Sequence, residues 1–115
     1  NRFDSSLVEP GPPALLTDDG ILLLYNGRNN IEVGDSQLSD GTYSGGQVLM
    51  DVNDPTAVIG RLTHNFLRPD KDYETVGQVN HVCFIEGLVH FKNRWLLYYG
   101  TADSKIAVAS MPSTH

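Results

Sequence analysis

Cysteine is almost missing from this 115-residue chain. Cys83 stands alone, so no disulfide can form within the chain, and its flank His81-Val82-Cys83-Phe84-Ile85 reads as buried strand. Positive charge is also scarce: 8 Lys and Arg against 14 Asp and Glu leave a net charge of −6. Such a surface repels phosphate polyanions, which argues against nucleic acid and anionic membrane as partners and leaves neutral ligands open. No apolar run approaches the roughly 20 residues of a membrane-spanning helix. No basic-then-apolar leader precedes Asn1, and a start at Asn1 rather than Met reads as a fragment or a processed chain. Asn-x-Ser/Thr acceptors, Walker loops and CxxC pairs are missing too. Helical periodicity is equally thin, since no 11-residue window shows convincing apolar spacing at i, i+3, i+4 and i+7.

What remains is a composition with 40% hydrophobic and 19% charged residues, ordinary for a folded domain, arranged as short apolar runs between turn residues. The expected class is all-β. Residues 14–17 and 21–26 flank Asp18-Asp19-Gly20, a hairpin turn in which glycine accepts positive φ. Residues 46–52 and 57–62 flank Asn53-Asp54-Pro55-Thr56, where proline sets φ and the Asx side chains bond the local backbone. Residues 82–91 and 94–100 flank Lys92-Asn93, and residues 105–110 follow a loop at 101–104, which makes a three-stranded meander.

The halves echo one another. Leu22-Leu23-Leu24-Tyr25-Asn26-Gly27 lines up with Trp95-Leu96-Leu97-Tyr98-Tyr99-Gly100, each after a hairpin turn. Two related β units, about 1–66 and 67–115, are therefore expected. Repeated small antiparallel sheets build propellers, which need about four to eight blades, so two units leave a ring open. Such a fragment is expected to associate with a missing N-terminal part or with itself, because its flanks stay apolar. A self-contained β-sandwich is the alternative at this length.

Five motifs in succession carry a resemblance: Glu9-Pro10-Gly11-Pro12-Pro13, Leu24-Tyr25-Asn26-Gly27, Tyr43-Ser44-Gly45-Gly46, Gly77-Gln78-Val79-Asn80 and the stretch from Tyr98 through Lys105. In order and spacing they resemble the mannoside phosphorylases and β-1,2-mannosidases of glycoside hydrolase family 130. The resemblance implies about two blades of a five-bladed propeller, its C-terminal portion. It also implies that the catalytic aspartate, which acts as general acid by way of a sugar hydroxyl, lies in blades absent here.

Phosphorylases of that family carry a lysine shortly before the Gly-Pro-Pro element, where it helps hold the attacking phosphate. Residues 5–13 of this chain contain no cation and do contain Glu9. A carboxylate repels phosphate but can orient and deprotonate water, and the family's hydrolytic members resemble this pattern. Glu9 is thus the candidate catalytic base of an inverting hydrolase acting on short β-mannosides.

By the same resemblance, Asp103 in the Thr101-Ala102-Asp103 loop is a candidate ligand for sugar hydroxyls, and Tyr43 a candidate site tyrosine beside glycines where the backbone could open into a bulge. Asn26 and Arg28 stand where many phosphorylases read Tyr-His-Gly, and are candidates for contacting sugar or water. His64, His81, His90 and His115 show no metal-ligand spacing, so neither metal nor cofactor is expected.

Two other readings remain: a mannoside phosphorylase that takes inorganic phosphate through cations of the missing half, and a carbohydrate-binding propeller fragment without catalysis. A hydrolase would suit the periplasm or exterior, a phosphorylase the cytoplasm. In both enzyme readings the substrate is a mannoside oligosaccharide.

Overall fold

The computed structural model describes residues 1–113, so His115 lies outside the described residues. Strands β1 (Leu7–Pro10), β2 (Leu15–Thr17), β3 (Gly20–Arg28), β4 (Tyr43–Met50) and β5 (Val58–Arg61) form one antiparallel sheet. A single helical turn, α1 (Asp72–Thr75), leads to a second sheet of β6 (Cys83–Phe91), β7 (Arg94–Thr101) and β8 (Lys105–Pro112).

Both β1 and β2 pair with β3, one with each half of it, so together they act as one broken strand. The break falls at Gly11-Pro12-Pro13, because proline has no N–H to offer the ladder. Strand order then follows chain order in each sheet, without the exchange between sheets of a Greek-key sandwich. The fold is a partial β-propeller of antiparallel meanders.

Turn chemistry accounts for the hairpins. Thr17 pairs with Gly20 across Asp18-Asp19, and its hydroxyl donates to Gly20 O at 2.8 Å while accepting from Asp19 N–H. Lys92 and Asn93 sit at φ 49° and 60°, the positive values that a two-residue turn requires for its twist to match the strands.

Two elements escape the sequence pattern. β1 has four residues with one edge paired, and α1 is a single turn, so neither is long enough to show a period. The bulge expected at Gly45-Gly46 is also not there. Register runs unbroken from Ile21↔Met50 to Arg28↔Tyr43, and the irregularity lies farther along, at Leu49/Met50 of the β4–β5 pairing. The glycines serve ring packing instead. A Cβ on Gly46 would stand 2.5 Å from the Tyr25 ring, and one on Gly45 would stand 3.0 Å from that of Phe66.

Between the sheets lie Leu24 from β3 with Cys83, Ile85, Leu97 and Tyr99 from β6 and β7. Each fully buried aliphatic side chain of this kind stabilises the fold by about 1.5–3 kcal/mol. A second cluster, Phe3, Tyr25 and Leu38, covers the far side of the first sheet, with Phe3 stacked on Tyr25 at 6.1 Å between centroids. There the Tyr25 hydroxyl donates to Asp4 at 2.7 Å, and Arg61 pairs with the same carboxylate.

Two polar side chains hold the layers together from inside. Asn26 is 0% exposed; its Oδ1 accepts from Ile85 N–H at 2.6 Å and its Nδ2 donates to Ile85 O at 3.0 Å. The side-chain amide thus stands in for the neighbouring strand that the free edge of β6 lacks at this point. Glu74, on α1 and 3% exposed, accepts from Asp70 N–H and Lys71 N–H on one oxygen and from the Tyr99 hydroxyl at 2.5 Å on the other.

Burial pushes the Glu74 carboxyl up, but the bonds from Tyr99, Lys71, Asp70 and the Cys83 thiol outweigh it and hold it below the usual carboxylate value. Burial, then the Glu74 carboxylate, pushes the Tyr99 hydroxyl and the Cys83 thiol far up, so that thiol is inert.

Asn26→Ala removes both partners of Ile85. At about 1–3 kcal/mol for each buried group left unpaired, the expected loss is about 2–6 kcal/mol, read from denaturant midpoints. Glu74 binds its proton less readily folded than unfolded, so its contribution is present above the ordinary carboxylate pKa and lost as pH falls through the lowered folded value. Acid titration of stability should therefore be flatter below about pH 4.5 in Glu74→Gln than in the parent protein; identical slopes would remove Glu74 from the acid response.

Candidate functional site

One end of the molecule gathers the candidate side chains through a continuous run of backbone pairings. Leu7 pairs with Arg28, Arg28 with Tyr43, Tyr43 bridges Val82 in parallel, and Val82 O accepts from Ala102 N–H at 3.0 Å. The path crosses from the first sheet to the second. It ends at the turn that carries Asp103.

Glu9 is opposite Asn26 in the β1–β3 register, so both side chains lie on one face of the sheet, the face that also carries Arg28 and Tyr43. It is half-buried and makes no side-chain hydrogen bond or ion pair among the described residues. Asp103 is exposed, at φ 52°, and its carboxylate is likewise without a polar partner among the described residues. The left-handed turn explains its exposure, since Ala102 and Asp103 both adopt positive φ and swing the side chain out past the strand ends.

Tyr43 packs its ring against Phe84 at 5.7 Å and leaves its hydroxyl free of protein partners among the described residues. Arg28 is half-buried and donates to the Ser6 hydroxyl at 3.1 Å, with its guanidinium beside Gly41. Gly41, at φ 77°, keeps that space open, because a Cβ there would lie 3.2 Å from the guanidinium.

Asn26 must be corrected. It was expected to contact sugar or water, but its amide is buried and committed to Ile85, so no ligand reaches it. An Asn-Gly pair reads locally as a turn or as a polar site. What decided the matter was a contact 59 residues away.

Two other asparagine and acid roles went unread for the same reason. Asn29 organises the 30–41 loop next to Arg28, donating to Asp35 O and Leu38 O and accepting from Asp35 N–H. Glu74 lies in a polar stretch of sequence, and its partner Tyr99 is 25 residues on. His90 packs tilted against Trp95 at 4.8 Å between ring centroids, and among the described residues no three His, Cys, Asp or Glu side chains gather as a metal would need.

An apolar cavity of about 350 Å³ opens between the sheets, lined by Leu22, Leu24, Phe66, Leu88, Trp95 and Met111 among others. None of the candidate polar residues reaches it. It is a packing gap between layers, separate from the end that carries Tyr43 and Asp103.

The family model described as beta-1,4-mannooligosaccharide phosphorylase matches residues 1–115. A β-1,2-mannobiose phosphorylase of Thermoanaerobacter sp. (strain X514) is 38% identical over 109 residues, which are 95% of this chain and 33% of that protein. A solved structure described by the statement that this family of mannoside phosphorylases contains glycoside hydrolases that target β-1,2 mannosidic linkages in Candida mannan is 47% identical. It superposes with a TM-score of 0.95 over 100% of this chain and 32% of its own. The β-1,2-mannobiose phosphorylase of Listeria innocua, solved with β-1,2-mannobiose, superposes with a TM-score of 0.82 at 32% identity, over 99% of this chain and 30% of its own. The chain spans about a third of the length of the curated relatives it matches. With a family model over every residue and superpositions of this quality, the chain belongs to glycoside hydrolase family 130.

Proposed function

We propose that the whole protein cleaves short β-mannosides by an inverting displacement, with water as the attacking group and Glu9 as its base. The observation that carries this reading is a half-buried carboxylate with no protein partner, in a segment, residues 5–13, without a cation. An acid poised this way can accept a proton from water and disfavours phosphate. The solved relative described with β-1,2-mannosidic hydrolases supports the same choice of acceptor.

Asp103 and the Tyr43 hydroxyl supply the free polar groups that a mannosyl unit needs, and Arg28 completes the same end of the sheet. The general acid is to be sought in the two thirds of the relatives that this chain does not span. An inverting pair stands about 6.5–9.5 Å apart to admit water, so that acid should face Glu9 across such a gap. Residues 1–66 and 67–115 serve as two adjacent blades in this reading. Their uncovered faces, which include Val8 on one sheet and Val89, Phe91, Ile106 and Val108 on the other, are covered by further blades.

Phosphorolysis is the second reading, and a specific observation favours it. The curated relatives are phosphorylases, and the Arg28 guanidinium offers a charged donor on the face that carries Glu9.

Product analysis separates the two. With β-1,2-mannobiose and no phosphate, the whole protein should release mannose; mannose 1-phosphate formed only when phosphate is added would end the role of Glu9 as a base. Glu9→Gln should lower kcat by about two to four orders of magnitude, the range typical of general base catalysis. Undiminished hydrolysis by that variant overturns the assignment.

A further inference from the structure

We propose that residues 74–82 form a clip that fixes the Asp103 turn relative to Tyr43, with Glu74 and Gly77 as its positioning residues. The inference rests on the reading of Asp103 and Tyr43 as sugar contacts. It assigns a task to a segment that supplies none of the candidate sugar contacts.

The two candidates belong to different sheets, and this short segment holds the backbone of both. Tyr43 N–H donates to His81 O at 3.0 Å. On the other side, Gln78 N–H donates to the Ser104 hydroxyl at 3.0 Å, Val79 N–H donates to Ala102 O at 3.1 Å, and Ala102 N–H donates back to Val82 O at 3.0 Å. The turn is thus gripped on both sides of Asp103.

Close contact makes the grip specific. A Cβ on Gly77 would stand 2.5 Å from Ala102 O, 2.6 Å from Ala102 Cβ and 2.6 Å from the Ser104 hydroxyl, so only glycine lets the clip lie against the turn. His81, Ala102 and Asp103 all sit at positive φ, between 49° and 59°. Non-glycine residues keep such conformations only where their surroundings dictate them. Here the clip is the surrounding structure.

The clip is anchored at its start by Glu74. Its backbone carbonyl accepts from Val82 N–H at 3.0 Å, and the neighbouring Thr75 carbonyl accepts from His81 N–H at 3.1 Å. Its buried carboxylate binds the Tyr99 hydroxyl, two residues before the turn begins. Asn80 closes the middle by accepting from Gly77 N–H at 3.2 Å. Every part of the clip is therefore tied either to itself or to one of the two sheets.

The decisive experiment is a double-mutant cycle in the whole protein. Gly77→Ala should raise KM for β-1,2-mannobiose about tenfold or more, as expected when a ligand-holding group is displaced by a fraction of an ångström. In an Asp103→Ala background, the same change should alter KM by less than about twofold, since the group it displaces is gone. A Gly77→Ala effect of equal size in both backgrounds, or none in either, overturns the proposal. Should Gly77→Ala fail to fold, Ser104→Ala takes its place in the cycle, removing the acceptor of Gln78 N–H with little change in volume.

Hydrogen exchange gives a readout that does not depend on turnover. Glu74→Gln should speed exchange of the Val79 and Ala102 amides about tenfold more than it speeds that of Leu97 in central β7, which reports the change in global stability. A protein that cleaves no mannoside defeats the functional reading alone, and the clip then stands or falls on this exchange. Val79 and Ala102 amides that speed up no more than Leu97 refute it.

Discussion

The contact between the Asn26 amide and the backbone of Ile85 is the joint on which the other features depend. A sheet edge leaves peptide groups unpaired, and burying them without partners costs about 1–3 kcal/mol each. Ile85 lies at such an edge, under the first sheet, and the side chain that faces it offers one acceptor and one donor at peptide spacing. With that pair satisfied, Leu24 can close over Ile85, Leu97 and Tyr99. This contact ties β3 to β6, and the bridge from Tyr43 to Val82 ties β4 to the start of β6 beside it.

A simple physical division then separates framework from site. Asn26, Asn29, Glu74, Asp4 and Tyr25 are polar residues whose hydrogen bonds are made within the protein; Asn29 closes the loop that follows it, and the others tie segments distant in sequence. Glu9, Asp103 and the Tyr43 hydroxyl keep their polar groups unpaired among the described residues, where another molecule can use them. Framework groups rigidify; unpaired groups at one end of a rigid sheet are what a polyhydroxylated ligand can bind. Arg28 belongs partly to each class, held by Ser6 yet with further N–H donors on its guanidinium.

In the proposed reaction, the charge at the rim decides whether water or phosphate attacks the sugar. Water needs a base, and phosphate needs cations that offset its loss of hydration. Glu9 and Arg28 lie on the same sheet face, with β1 next to β3, so this corner carries both signs. The remaining blades of the relatives' rings lie beyond the span of this chain, and the balance of charge there completes the selection.

Much of the architecture was legible in the order of residues. Alternating apolar runs, the Asp18-Asp19-Gly20, Asn53-Asp54-Pro55-Thr56 and Lys92-Asn93 turns and the similarity of the halves all pointed to antiparallel meanders, because turn geometry and pleat are local properties. The motifs from Glu9 to Lys105 likewise led to the family. What they left open was the use of each polar side chain. Asn26 as a structural joint, Glu74 as an anchor and Gly45-Gly46 as a seat for aromatic rings instead of a bulge were decided in three dimensions. The reason is physical: a hydrogen bond or a ring contact depends on which surface arrives from another part of the chain, and Ile85 faces Asn26 from the other sheet, 59 residues away.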